Sequence, residues 1–252
     1  MKPAQPNQSL IDGLACLQAL AAHGGPIGSR QLGRMLGLEP TRVNRLLKTL
    51  AHLGLAQQDE KRKYAPGPAI HVLAAQSLRA SGLLTNALGP LEGLLEFGYQ
   101  VAMGVLWRDQ VVYLYFVSPG ADPRQGIAQE PLFPAHHSGL GQALLAMHTD
   151  DEVRELYAGT PHAGEVVLDG ANGLLADLAR TREQGYALTR VGETGAVGWR
   201  TLALVLDGQA GTAIGLAGDF TDRSVPRLVR ALRSAAATIA EASDRRPRSR
   251  TT

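Results

Sequence analysis

The side chains best placed for chemistry in this chain are cations and amides that donate hydrogen bonds, not nucleophiles. Arg42, Asn44, Arg45 and Lys48 fall between Thr41 and His52, a stretch with no acidic residue. Arginine offers paired donors that match guanine O6 and N7, and asparagine matches adenine, so Arg42, Asn44 and Arg45 have donors suited to base edges. Lys61, Arg62 and Lys63 follow closely. Such a cluster suits phosphate oxygens, which fix register and add salt-sensitive affinity without reading sequence. Catalysis is poorly served by comparison. His136, His137 and Ser138 are adjacent, and adjacent residues do not share one face of a helix or strand. No Gly-x-Ser-x-Gly elbow and no His-Glu-x-x-His pair occurs. Gly139-Leu140-Gly141 is too short for a dinucleotide fingerprint. No cofactor or metal set stands out. The one cysteine, Cys16, excludes an internal disulfide and a cysteine-based zinc cluster, and among Leu14, Ala15 and Leu17 it reads as a small buried hydrophobe.

These donors need a scaffold, and the flanking pattern supplies one. Ser29 is a good N-cap for a short helix, Gln31 to Leu36, with Leu32, Met35 and Leu36 inward. Gly37 supplies a turn that favours positive φ. Glu39, Pro40 and Thr41 open a second helix, with proline where its missing N–H costs nothing. Val43, Leu46, Leu47, Leu50 and Leu53 form its apolar stripe, opposite Thr41, Arg45, Lys48 and His52, and Gly54 ends it. Leu55 to Gly67 reads as a hairpin with its tip at Asp59 to Lys63. Helix, turn, helix and hairpin in this order make a winged helix-turn-helix, which lays its second helix in a DNA major groove. The expected DNA-binding set is Ser29, Arg30, Thr41, Arg42, Asn44, Arg45, Lys48, Lys61, Arg62 and Lys63.

A length of 252 residues accommodates two domains, and 44% hydrophobic residues provide an ample core. No apolar run approaches the twenty or so residues of a membrane span, and no signal-peptide pattern opens the chain, so a cytoplasmic protein without membrane contact is expected. The net charge of +2 conceals a split: residues 1–68 carry +5, residues 69–243 carry −6 and residues 244–252 carry +3. A basic head is joined to an acidic body. The expected α+β organisation is a winged helix-turn-helix domain over 1–68, a linker helix over 69–82, a GAF-like effector-binding and oligomerisation domain over 83–243 and a disordered basic tail over 244–252. In the body, a helix from about Leu83 to Phe97 is interrupted at Gly89-Pro90. A hairpin of Tyr99 to Trp107 and Val111 to Ser118 follows, then a long loop through Pro119–Pro134. Further helices run over Gln142–Met147, Asp150–Tyr157, Leu174–Gln184 and Arg227–Ser243. Strands run over Tyr186–Val191, Trp199–Leu206 and Thr212–Ala217. An antiparallel sheet with helices outside it describes a small sensor domain.

Over residues 9–241 the chain resembles the IclR family of transcriptional regulators. Thr41-Arg-Val-Asn-Arg-Leu-Leu-Lys-Thr-Leu50 resembles the family recognition helix, and Tyr64-Ala-Pro-Gly67 the end of its wing. Pro134-Ala-His-His-Ser-Gly-Leu-Gly-Gln-Ala-Leu-Leu-Ala146 and Leu178-Ala-Arg-Thr-Arg-Glu-Gln-Gly-Tyr-Ala187 resemble two signatures of its sensor domain. The resemblance implies a DNA-binding head, a GAF-like effector domain, a homodimer or tetramer, and double-stranded DNA with a palindromic or repeated operator as partner. It implies a pocket for small organic acids built from Ser138, Gly139 and Leu140, then Thr201, then Gly215 and Ala217. His136 and Trp199 join this expected effector-binding set. Gly215 and Ala217 depart from the serines common there, which removes hydroxyls, enlarges the pocket and favours a bulkier, more apolar or aromatic effector. Gln142 replaces the family lysine. Repression is the commoner family outcome. Two other readings remain open at this point: a regulator whose sensor domain binds no ligand and only oligomerises, and an enzyme using the GAF-like cleft.

Overall fold

The computed structural model describes residues 5–127, 132–158, 160, 164–190, 199–208 and 211–244. Contacts fall into two compact units that divide between Ser81 and Gly82.

The first unit runs α1 (Gln8–His23), α2 (Ser29–Leu36), α3 (Pro40–His52), β1 (Ala56–Gln58), β2 (Tyr64–Pro66) and α4 (Ala69–Ser81). Asn7 caps α1 by accepting from the Leu10 N–H, and the Glu39 carboxylate caps α3 by accepting from Thr41. Cys16, Leu20, Leu32, Val43 and Leu47 are fully buried in one core with Ile27 and Tyr64. Burial raises the Cys16 thiol pKa, with the charge of Asp12 adding to it. Gly37 takes φ 64, as the turn between α2 and α3 requires. Helix α2 begins earlier than the sequence pattern indicates, so Gly28 is its cap and Ser29 sits in its first turn. Met35 and Leu53, both 57% exposed, lie off the core. An eight-residue helix turns few positions inward, and Leu32 holds the fully buried one.

The wing is tied to the helices through paired backbone hydrogen bonds between Ile27 and Tyr64, each 2.8 Å. Its tip is organised by Asp59, whose carboxylate accepts from the Lys63 N–H at 2.8 Å and whose carbonyl accepts from Arg62 at 3.0 Å. Arg62 adopts a left-handed φ of 60 there. Helix α4 buries none of its residues, and Val72 and Leu73 stand 54% and 56% exposed.

The second unit carries one antiparallel six-stranded sheet of order β5-β4-β3-β8-β7-β6. Its strands are β3 (Gln100–Trp107), β4 (Gln110–Val117), β5 (Phe133–Pro134), β6 (Ala187–Arg190), β7 (Trp199–Val205) and β8 (Thr212–Asp219). Period-two alternation sends Val101, Met103, Leu202, Ile214 and Leu216 to one face, under α5 (Leu83–Leu94) and α9 (Val225–Asp244). Ala102, Ala203 and Ala213 go to the other, under α6 (Gly139–Leu145), α7 (Asp150–Tyr157) and α8 (Leu174–Gln184). Both faces of the central strands are therefore covered, which accounts for their near-continuous apolar runs.

Helix α5 continues through Pro90 to Leu94, where an interruption was expected. Leu83, Ala87, Leu91 and Leu94 are buried in the α9 side of the core, and that packing outweighs the one hydrogen bond proline cannot donate. The expected loop over 119–134 contains a 3-10 turn at Pro123–Gly126 and the short edge strand β5. Helix α7 opens with a capping box in which Thr149 and Glu152 exchange hydrogen bonds. The Thr149 N–H and hydroxyl donate to the Glu152 carboxylate and lower its pKa. Arg182, from the second sensor-domain signature, donates to the Ala146 and His148 carbonyls and pairs with Asp150, so α8 holds the end of α6. Residues 245–252 of the expected tail and the glycine-rich 191–198 stretch lie outside the described residues. No described helix is long and apolar enough to cross a membrane.

Candidate functional site

The first unit presents a cleft of about 630 Å³ between the start of α2, the outer face of α3 and the wing. Ser29 and Arg30 line it from α2, Thr41, Asn44 and Lys48 from α3, and Lys61, Arg62 and Lys63 from the wing. Five cations and no acid thus surround one polar groove. Such an arrangement attracts a phosphodiester backbone at long range. Gln58, which sequence reasoning passed over, completes the lining and fixes the wing by donating to the Arg62 carbonyl at 3.3 Å. Arg45 is exposed on α3, outside this cleft.

Arg42 departs from the expected role. Its guanidinium pairs at 2.6 Å with Asp12 of α1, a carboxylate only 6% exposed that also accepts from the Gln8 amide at 2.7 Å. The cause is its helical position: Arg42 precedes the buried Val43 and lies on the flank of α3 that faces α1, not on the outer face. Arg42 thus holds α3 to α1.

The second unit contains a cavity of about 210 Å³ between the sheet and the start of α6. Of the expected effector set, Ser138, Gly139, Leu140, Trp199, Thr201, Gly215 and Ala217 all line it. His136 does not. In the 3-10 turn Ala135–His137 successive side chains diverge by about a third of a turn. His136 is turned into the core, edge-on to Tyr157 at 5.8 Å, and His137 takes the lining position. Burial, then the charge of Asp109, pushes the Tyr157 phenol well above its ordinary range. Gln142 donates to the His136 carbonyl at 2.9 Å and is itself buried, which explains an uncharged side chain where the family carries lysine.

Sequence reasoning missed Gln100, Ala102, Tyr113, Phe116 and Phe133. The available signal was the aromatic run Tyr113, Tyr115 and Phe116 in β4, but a bulge between Met103 and Gly104 changes the register there, sending Tyr115 to the α5–α9 face and Tyr113 and Phe116 to the α6 face. Tyr113 and Phe116 meet edge to face at 5.6 Å, and the hydroxyls of Tyr113 and Ser138 lie 3.1 Å apart. Ser138 also caps α6 by accepting from the Gly141 N–H at 3.3 Å. Arg200 is not among the described residues that line the cavity. Its side chain bonds the Phe220 carbonyl and Asp222 and lies over the Phe220 ring.

Two glycines set the cavity's shape. A Cβ on Gly139 would sit 2.4 Å from Thr201 Cγ2, so α6 approaches β7 only because that atom is missing. A Cβ on Gly215 would sit 2.7 Å from Leu140 Cδ1. The expected enlargement at Gly215 therefore does not occur, because Leu140 fills the space. Two consequences are measurable. Arg42→Ala strands a buried carboxylate and should destabilise the first unit by about 2 kcal/mol, seen as a lower denaturation midpoint; an unchanged midpoint removes the pair from the fold's support. Gly139→Ala should lower stability by about 1–3 kcal/mol through overpacking, with partial recovery when Thr201→Ser removes the methyl group. No recovery would place the strain elsewhere.

Comparison with known proteins follows the same two-part division. The family model described as IclR helix-turn-helix domain matches residues 9–60, and that described as Bacterial transcriptional regulator IclR C-terminal matches residues 75–241. The chain is 30% identical over 208 residues to the Transcriptional repressor IclR of Escherichia coli (strain K12), covering 78% of this chain and 73% of that one. Among solved structures, an IclR-family regulator from Brucella abortus shares the fold with a TM-score of 0.73 at 23% identity, over 96% of this chain and 94% of that one. An IclR homologue from Microbacterium hydrocarbonoxydans, complexed with 4-hydroxybenzoate, does so with a TM-score of 0.64 at 19% identity, over 94% and 99%. A helix-turn-helix head with a cationic cleft, followed in sequence by a sheet domain with a cavity at the start of α6, is matched here along nearly its whole length, and the chain belongs to the IclR family of DNA-binding transcriptional regulators with C-terminal effector-binding domains.

Proposed function

We propose that this regulator is a repressor. It binds a palindromic or repeated DNA operator as a homodimer or tetramer, and a small molecule in the cavity of the second unit changes that binding. The observation that carries the reading is the cleft in which Arg30, Lys48, Lys61, Arg62 and Lys63 surround Thr41 and Asn44. Cations of this density supply the sequence-independent part of DNA affinity, and the outer face of α3 supplies the base-reading part. Repression is supported by the relative that carries that name. Effector binding is supported by the cavity itself and by the similar fold complexed with 4-hydroxybenzoate. Self-association is supported by α4, whose apolar Val72 and Leu73 are exposed and which buries none of its residues within the described first unit. Pairing two heads matches a two-fold site on DNA. In this reading the protein binds and responds, and it catalyses nothing.

The direct test is fluorescence anisotropy on DNA from upstream of the protein's own gene against scrambled DNA, over a range of salt concentrations. Preference for the upstream DNA that survives physiological salt supports the proposal, and equal, salt-labile binding to both counts against it. Arg45→Ala should weaken the preferred sequence by about 1–3 kcal/mol while leaving random DNA little changed. Equal losses on both would restrict Arg45 to phosphate. Lys61→Ala should weaken all DNA alike and flatten the salt slope by about one unit. An unaltered slope takes the wing out of the interface.

A further inference from the structure

We infer that the cavity selects an uncharged, single-ring aromatic molecule bearing a hydroxyl group, and discriminates against carboxylates of the same size. This rests on the reading of the cavity as an effector site.

Charge is the first argument. Among the described residues that line the cavity there is no Lys, Arg, Asp or Glu, and His137 is the one side chain there able to carry positive charge. Arg200, on a neighbouring strand position, is committed to Asp222 and the Phe220 carbonyl. Residues 128–131 and 191–198, which lead into Phe133 and Trp199 in sequence, contain two glutamates and no Lys or Arg. At the start of α6 the Gly141 N–H is already taken by the Ser138 hydroxyl. A carboxylate entering here would lose its hydration with no guanidinium or ammonium among the described lining residues and one imidazole at most to offset it, which is a costly exchange.

Shape and surface give the second argument. The whole chain has two Trp, six Tyr and four Phe, yet Tyr113, Phe116, Phe133 and Trp199 all border this one small space. Ala102 and Ala217 leave room between them for a flat face. An apolar cavity of about 150 Å³ accommodates benzene. The space here, about 210 Å³ with Leu140 filling the site of the missing Gly215 side chain, fits one substituted ring.

The polar end gives the third argument. Tyr113 and Ser138 have hydroxyl oxygens 3.1 Å apart, and either can donate. Ser138 is 4% exposed. A hydroxyl pair can both give and accept a hydrogen bond, so it complements a ligand hydroxyl in either sense. A carboxylate only accepts.

The test uses the full-length protein with Trp107→Phe, which leaves Trp199 as the sole tryptophan reporter. Four probes are titrated: 4-methylphenol, toluene, 4-hydroxybenzoate and benzoate, read by Trp199 emission and thermal shift. The expected order places 4-methylphenol at least about tenfold tighter than either acid, a factor worth one net hydrogen bond or charge penalty. Tyr113→Phe should weaken 4-methylphenol several-fold and leave toluene unchanged. Acids that bind as tightly as 4-methylphenol, with a Trp199 response, would overturn the neutral-ligand assignment while the cavity remained an effector site. No Trp199 response or thermal shift from any of the four would overturn it as well. Failure of the wider effector reading is scored separately, by a chemically diverse ligand set that leaves both thermal stability and operator affinity unmoved.

Discussion

The second unit depends on how closely α6 can approach the sheet. Gly139 lies against Thr201 of β7, and Gly141 lies over the Ala135 carbonyl, which a Cβ would approach to 2.2 Å. Side chains at either position would lift the helix start, separate Leu140 from Gly215 and open the layer to water. Because the approach is set by missing atoms and not by attractive contacts, it is rigid. Neighbours cannot relax into space that does not exist. The cavity is what remains where α6 begins and the covering layer stops. Its position at the helix start is a consequence of packing, and its chemistry was left to the strands beneath and the aromatic residues beside it.

The first unit solves a related problem in a different way. A recognition helix must keep one face apolar and the opposite face cationic, and it must not rotate between them. Val43, Leu47 and Leu50 fix the inner face by burial. Hydrophobic burial is not directional, so a stripe alone permits some rotation about the helix axis. The Arg42–Asp12 pair adds the direction that burial lacks, joining the flank of α3 to α1 at a nearly buried carboxylate. Of four donors closely spaced on one helix, one thus serves orientation and the others face outward.

Legibility in sequence followed the range of the interactions. The order of elements, the two helices of the head and its wing could be read because caps, turns and apolar spacing are local. Gly37 and Pro40 are examples. The sheet order and the cover on both faces could not be read strand by strand, since they depend on pairings over a hundred residues apart, such as Ala102 with Gly215. The site divides differently. Ser138, Gly139 and Leu140, with Thr201, Gly215 and Ala217 of β7 and β8, were named through the family resemblance, whereas Tyr113 and Phe116 were not, because a bulge decides which side of the sheet they face. The Arg42–Asp12 pair could not be read because nothing near Arg42 in sequence discloses Asp12. Pro90 looked like a break because local propensity carries no information about the α9 helix packed over α5.

A cavity this small raises the question of how it could govern a large electrostatic interface. Affinity for the ligand is not the controlling quantity. What shifts an equilibrium is the difference in affinity between two states of the protein. A ring held between Leu140 at the α6 start and the β7–β8 surface touches two elements whose spacing is already at the steric limit. A small change in that spacing makes or breaks most of the ring's contacts. A hundredfold difference between states corresponds to about 2.7 kcal/mol per site, and in the proposed dimer two sites would double it. That is comparable to losing several phosphate contacts at physiological salt. Tight packing thus provides the stiffness that coupling requires, and for the neutral aromatic ligand proposed above burial, instead of charge, would do the discriminating.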